Sequence, residues 1–258
     1  FKERKNIAQK KGLLRGLGVG CFLETARGAP QEGVGIKFTE SGKIEIRVGT
    51  ESNGQGHETT FKQIASTRLG VPIEVLEYIQ ADTERVAIGF GHGGARSMHM
   101  GAGTMALAID SAIEKASRVA ATLLQTDIEE LSFDKGAFLT SKDQRSVSII
   151  EVASAARNSD IMPSLGEYGI DTFYKREEAP FTFPNGCHAA EVEIDPDTGS
   201  IKLVNYVMVD DYGTLVNPAL TEGQLHGGVV QGIGQALEEF VAFDPESGQL
   251  LSGSLMDY

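Results

Sequence analysis

The sequence predicts an α+β fold built as two α/β lobes. Three observations carry that expectation. Short stretches with period-two alternation stand beside longer ones with the 3.6-residue period of a helix. The order strand, strand, loop, helix occurs twice, near 33–69 and near 189–239. Glycine-bearing loops fall at the strand-to-helix junctions of both occurrences. This divides the chain into a lead-in segment over 1–20, a first α/β lobe over 21–157, an irregular connection over 158–186 and a second α/β lobe over 187–258, incomplete at its C-terminal end.

Residues 1–20 are basic at Lys10 and Lys11 and then glycine-rich through Gly12, Gly16, Gly18 and Gly20, leading into a strand at Cys21–Glu24. Residues 33–39 alternate, Ser41-Gly42 turns, and 43–48 alternate again with Ile44, Ile46 and Val48 on one face. A hairpin is the expected product. A helix is predicted from His57 to Leu69, stopped by Gly70 and the following Pro72. Residues 75–80 read as another strand. The longest helical pattern, about 98–124, repeats Met98, Ala102, Met105, Ile109, Ile113, Ala116, Ala120 and Leu123 on one side. A short hairpin over about 131–140 turns at Asp134-Lys135-Gly136, and Ser148-x-x-Glu151 is a capping box opening a further helix. Prolines and glycines scattered through 158–186 predict the irregular connection. The first pattern then recurs: alternation over 189–194, a turn over 195–199, a strand over 201–209, a loop, and a helix of about 219–239 with Val230, Ile233, Leu237 and Phe240 facing inward.

At 258 residues the chain is long enough to bury a sizeable core, and its 41% hydrophobic and 23% charged residues are those of a globular protein. The net charge of −13 argues against nucleic acid as a partner, because binding phosphates takes a basic footprint. A bound anion would need local donors. No apolar run reaches the roughly 20 residues that span a bilayer. The chain opens on Phe1 and closes on Tyr258 within a strand-like stretch, and is expected to be an excerpt of a longer, cytoplasmic protein. Cys21 and Cys187 are expected as buried thiols, and the five histidines show no metal-ligand spacing.

Three constellations could carry chemistry. Gly54-Gln55-Gly56, followed by His57, sits where a strand hands over to a helix. Such a junction aims free backbone N–H groups and the positive end of a helix dipole at whatever lies above it. Gln55 adds a side chain that both donates and accepts. The same tripeptide can equally be a plain turn. Gly93-Gly94-Ala95-Arg96-Ser97 repeats the arrangement with an arginine that could fork onto a phosphate, or lie at the surface beside a helix cap. Its glycine spacing fits neither a dinucleotide fingerprint nor a P-loop. In the third, Gln231 and Gln235 lie one turn apart on a helix crowded with Gly227, Gly228, Gly232 and Gly234. Each glycine costs about 1 kcal/mol against alanine. The close approach they allow serves a flat ligand or another helix.

The order and wording of these segments resemble the molybdenum hydroxylases, the family of xanthine dehydrogenase, aldehyde oxidoreductase and aerobic carbon monoxide dehydrogenase. The resemblance runs through Val48–Thr59 with its G-Q-G loop, Gly93–Ser97 in place of a G-S-R-S-type segment, Ala189–Asp195 with Thr198-Gly199, Asp210–Gly213, Val216–Pro218, Gly223-Gln224 and Gln231–Gln235. It is to the second molybdopterin-binding portion of the large subunit, in the bacterial branch. It implies a molybdenum cofactor on a pterin dithiolene, in its cytosine dinucleotide form. Iron–sulfur clusters and FAD are expected on partner subunits. The substrate would be an aldehyde, an N-heterocycle or a similar small molecule, hydroxylated with water-derived oxygen.

By the same resemblance Gly54, Gln55, Gly56 and His57 hold the pterin or its pyrophosphate. Gly93, Gly94, Ala95, Arg96 and Ser97 hold the phosphate end, and Gln231 reaches toward the metal, which takes no side chain as ligand. The family's catalytic glutamate is expected beyond Tyr258, so no catalytic residue is assigned here. The rest of the cofactor cage, from the remaining molybdopterin-binding portion of the subunit, is missing too, and the isolated chain is expected to be inactive. Two other classes use the same loops: a non-enzymatic module for an anionic nucleotide, and a structural or assembly domain.

Overall fold

The computed structural model describes residues 1–157 and 169–258. It contains five α-helices among the described residues: α1 (Lys2–Lys10), α2 (His57–Leu69), α3 (Gly103–Leu124), α4 (Ile149–Ala155) and α5 (Pro218–Leu237). Its strands are β1 (Leu14–Leu23), β2 (Glu32–Phe38), β3 (Ile44–Val48), β4 (Leu76–Ile79), β5 (Leu131–Asp134), β6 (Ala137–Thr140), β7 (Ser146–Ser148), β8 (Thr172–Arg176), β9 (Asn185–Ile194) and β10 (Ile201–Asp211). The mixture is the α+β class expected. Both strand–strand–loop–helix units are present, as β2–β3–α2 and β9–β10–α5.

The chain forms two compact units: Phe1–Leu23 with Pro184–Tyr258 (unit 1), and Glu24–Phe183 (unit 2). Unit 1 is therefore discontinuous, where the sequence reading drew contiguous segments. The lead-in over 1–20 holds α1 and most of β1. The connection expected over 158–186 lies outside the described residues up to 168, and beyond them contains β8 and the start of β9.

Unit 2 carries the hydrophobic core. Its sheet runs β4-β3-β2-β8, with β3 and β4 parallel and the other pairs antiparallel. Alternation places Val34, Ile36 and Phe38 of β2 in one buried cluster with Ile44, Ile46 and Val48 of β3. Phe61, Ala65 and Leu69 of α2 and Met105, Ile109, Ala112 and Ala116 of α3 complete it. Small residues on α3 let its backbone lie close to the sheet, and each fully buried Ile or Phe contributes about 1.5–3 kcal/mol. At α4 the Ser148 hydroxyl accepts from Glu151 N at 3.2 Å while the Glu151 carboxylate accepts from Ser148 N at 2.9 Å, so the capping box forms as read. A second small sheet, β5-β6-β7, turns at Lys135 and Gly136, both left-handed.

Unit 1 has an antiparallel sheet in the order β1-β9-β10. Helix α1 is tied to it by Arg4, whose Nη2 donates to Glu191 Oε2 at 2.8 Å, and Arg15 pairs with the other oxygen of the same buried carboxylate. Two expectations fail here. The inward face predicted for α5 is not inward: Val230 is 66% exposed, Leu237 and Phe240 are exposed too, and no residue of α5 is buried. An apolar stripe buries only if an element packs on it, and among the described residues of unit 1 none covers this one, leaving even Ile233 only half-buried. The cysteines are exposed, not buried, because β1 and β9 turn them to an uncovered face of the sheet.

Candidate functional site

Two loops of unit 2 come together at the end of the β3–β4 sheet. The first, 49–56, leaves β3 and enters α2. The second, 88–97, leads into a π-helical turn, Ser97–Ala102, that continues as α3. Several contacts join them, among them His92 Nδ1 with Glu51 Oε1 at 3.7 Å. The hydroxyls of Thr50 and Ser97, both buried, are 2.6 Å apart. Asn53 Nδ2 lies 3.3 Å from His92 Nε2. Between these, Gly49 and Gly89 cross so closely that a Cβ on either would strike the other's backbone.

The first loop is held from inside. Gln55 folds back, its Oε1 accepting from Asn53 N at 2.6 Å and from Ser52 Oγ at 3.2 Å. Gln80, just past β4, pins the base by accepting from Ser52 N at 2.7 Å and donating to Ser52 O at 3.3 Å. Gly56 takes a left-handed conformation (φ 78°) as the residue preceding α2, with no side-chain cap on the helix. The first N–H groups of α2 are thus not met by a capping side chain. Gly54, Gly91 and Gly93 have nothing within 4 Å of where a Cβ would stand.

The second loop is held by Arg96, and not in the way the sequence suggested. Its guanidinium is fully buried. Nη1 donates to Glu32 Oε2 at 2.7 Å and to Gly91 O at 2.8 Å, Nη2 to Gln31 O, and Nε to Ala29 O at 3.4 Å. Those donors point into the protein, so in this conformation Arg96 does not fork onto a ligand phosphate. It braces the loop that would. Burial raises the Glu32 carboxyl above the usual range, against the pull of Arg96 and of the Gly33 N–H. Gly94 (φ 82°) packs against Gly28, where a Cβ would come within 2.6 Å of the Gly28 Cα, and Ala95 (φ 53°) is a non-glycine residue in the left-handed region. Such strain costs on the order of 1–3 kcal/mol and persists only where its surroundings impose it. Ser97 is buried on Thr50 and does not cap the helix.

Sequence reading missed Glu32, Gln80 and Arg27. Arg27 N donates to Gly94 O at 3.2 Å, its guanidinium lies over the Phe181 ring at 3.9 Å, and its Nε has no partner. Only a charged residue at the mouth of an apolar strand hinted at Glu32.

His57, the first residue of α2, is 4% exposed, and Nδ1 of His92 lies 3.7 Å from Glu51 Oε1. Burial lowers the His57 pKa, a hydrogen bond donated by its ring to the Glu51 backbone carbonyl opposes this, and His92 adds to the lowering. The folded chain therefore takes up this proton at a lower pH than the unfolded chain, and stability is lost as pH falls below the ordinary histidine value of about 6.5. The thermal midpoint is expected to drop more between pH ~7 and ~5 for the natural chain than for His57→Gln. Equal drops would remove His57 as the cause.

In unit 1, Gln231 is exposed on α5, and Gly223, Gly227, Gly228 and Gly232 have nothing within 4 Å of a Cβ position. Also in unit 1, His188 links Tyr206 OH (Nδ1, 2.7 Å) to Asp210 (Nε2, 2.9 Å), whose side chain is 3% exposed, a network sequence reading did not assemble. Among the described residues no group of three or more His, Cys, Asp or Glu side chains could hold a metal ion, and no helix is long and apolar enough to cross a membrane.

Residues 1–258 match the family model described as a molybdopterin cofactor-binding domain. The chain is 34% identical over 272 residues to the nicotine 6-hydroxylase large subunit of Paenarthrobacter nicotinovorans, covering all of this chain and 33% of that protein. It is 33% identical over 257 residues to the carbon monoxide dehydrogenase large chain of Hydrogenophaga pseudoflava, covering 95% of this chain and 32% of that one. Among solved structures, quinoline 2-oxidoreductase from Pseudomonas putida 86 superposes with a TM-score of 0.90 at 31% identity, covering all of this chain and 34% of that chain. The chain thus spans about one third of the length of the relatives it matches.

Proposed function

The chain belongs to the molybdopterin cofactor-binding domains of the molybdenum hydroxylase family, and from that premise we propose that it holds part of a molybdenum cofactor in the large subunit of an oxidoreductase. The observation that carries this reading is the pair of interlocked loops, open above Gly54, Gly91 and Gly93 and braced from below by Arg96, Glu32 and Gln80. A cradle built of backbone donors suits a group held by many hydrogen bonds.

Gly54, Gln55, Gly56 and His57 are assigned to the pterin or its pyrophosphate, through the uncapped N–H groups of α2 and the helix dipole. Gly93, Gly94 and Ala95 are assigned to the phosphate end, which in the cytosine dinucleotide form carries the nucleotide. Arg96 and Ser97 act there by fixing the loop. Arg27 supplies the cation that Arg96, neutralised by Glu32, does not. In unit 1, Gln231 is assigned to the metal end. When bound, the cofactor supplies two-electron hydroxylation with water-derived oxygen. The chain's own residues bind and orient it.

The substrate class is an aldehyde, an N-heterocycle or a similar small molecule. The remaining molybdopterin-binding portion of the subunit, with iron–sulfur and FAD subunits, completes a cytoplasmic complex. The catalytic glutamate lies outside this chain, which alone is inactive. The test is metal, pterin and nucleotide analysis of the purified full-length subunit. Molybdenum and pterin at one per subunit, with a cytosine nucleotide freed by acid, are expected. A folded subunit that holds a nucleotide but neither molybdenum nor pterin would favour the non-enzymatic module, and one that holds none of the three, the structural domain.

A further inference from the structure

Outside the cofactor loops, the sheet of unit 1 places its two cysteines side by side. Cys21 of β1 and Cys187 of β9 are register partners on antiparallel strands, and their Sγ atoms are 3.0 Å apart. Opposed residues on such strands have Cα atoms about 4.5–5.5 Å apart. A disulfide accepts roughly 4.4–6.8 Å, so the backbone need not move to form one. Both thiols are exposed, and Cys21 lines a groove of about 440 Å³ with Gly18, Gly20, Phe22, His188 and Tyr206, wide enough to admit a small thiol reagent.

The position of the pair in the chain adds a consequence. The chain passes from unit 1 to unit 2 between Leu23 and Glu24, and returns between Phe183 and Pro184. Cys21 and Cys187 stand just outside these two crossings. A bond between them would close a loop that contains the whole of unit 2 and joins residues 166 positions apart.

We propose that Cys21 and Cys187 are a redox-responsive dithiol site, which a low-molecular-weight disulfide oxidises to an intramolecular disulfide that ties the entry and exit strands of unit 2 together. The thiolate of one cysteine attacks a sulfur of the oxidant, whose S–S bond breaks and releases the first small thiol. The other cysteine then attacks the mixed disulfide and releases the second. The two cysteines lose two electrons and two protons, and the oxidant gains them as two thiols. Closing so long a loop restricts the unfolded chain, so the oxidised form unfolds at a higher temperature than the reduced one.

The test uses the full-length subunit with its natural partners, treated with oxidised glutathione, quenched with an alkylating agent and digested without reductant. The Cys21 and Cys187 peptides are expected to run joined, lighter by two hydrogens than their sum, and to separate with dithiothreitol. Cys21→Ser should leave Cys187 as a mixed disulfide with glutathione. Three results overturn the proposal: both thiols alkylated after oxidation, two separate glutathione adducts with no cross-link, or thiols that react only once the subunit is denatured. The readout on the natural protein does not depend on the variant folding, nor on the cofactor reading.

Discussion

Arg96→Ala is expected to destabilise unit 2 by about 3–5 kcal/mol, the cost of removing one partner from a buried ion pair. For a unit of this size that corresponds to a fall in thermal midpoint of about 10 °C. The reason lies in what the arginine leaves behind. Glu32 is fully buried, and Arg96 supplies the only ion pair recorded for it among the described residues. The carbonyls of Ala29, Gln31 and Gly91 lose a donor together with it. An uncompensated charge and three under-satisfied acceptors cannot be covered by the methyl group of alanine.

Cofactor content of the full-length subunit should fall with stability, because the residues that Arg96 braces are those assigned to the phosphate end. Turnover per bound molybdenum should stay near normal, since binding is lost and not stabilisation of the transition state. A double-mutant cycle identifies the cause. Glu32→Gln with Arg96→Ala should cost clearly less than the sum of the two single changes, because the buried charge goes with its partner. A single Arg96→Ala variant that melts like the natural protein and keeps its full cofactor would refute the bracing role.

The arginine shows what could be read in the sequence and what could not. A glycine-rich segment ending in Arg-Ser at a helix start is visible as a motif, but the direction of a side chain is not. The acceptor that turns Arg96 inward, Glu32, lies 64 positions away. Local elements were legible where one feature fixes each end. Helix α2 begins after Gly56 and stops at Gly70, both left-handed, and its observed bounds are those read. The hairpins follow from period-two alternation and their turn residues. Strand β1 was read only from Cys21 because Gly16, Gly18 and Gly20 erase the side-chain alternation that marks a strand, and its partner β9 is distant in sequence. The π-helical turn at Ser97–Ala102 was taken for the first turns of α3, since six residues do not separate that period from 3.6. The apolar stripe of α5 was read correctly as a stripe and wrongly as buried. Periodicity shows that a face exists, and packing against it depends on other residues.

Gln231→Ala is expected to keep its cofactor and to lose turnover per molybdenum by about tenfold or more, where tenfold corresponds to about 1.4 kcal/mol of transition-state stabilisation. The case begins with the helix. Three glycines around Gln231, at 227, 228 and 232, each cost α5 about 1 kcal/mol against alanine, and among the described residues none meets an atom outside its own helical neighbourhood within 4 Å of a Cβ position. Packing within the chain therefore does not explain them. The Gln231 side chain is exposed and has no hydrogen-bond partner among the described residues, so both its donors and its acceptor are free. Gln55 differs, since its amide is already engaged in holding its own loop. If Gln231 stands at the metal end, as proposed, one free amide adds little to the affinity of a cofactor held by many backbone donors, so molybdenum content should not change. A hydrogen bond that strengthens only as charge develops at the reacting atoms affects turnover alone. Metal analysis and turnover on the full-length variant, with Gln231→Glu as a shape-conserving control, separate the outcomes. Full turnover per molybdenum in Gln231→Ala would place the glutamine away from the reacting atoms. Loss of molybdenum in step with turnover would make it one more holding residue, like those of the two glycine loops.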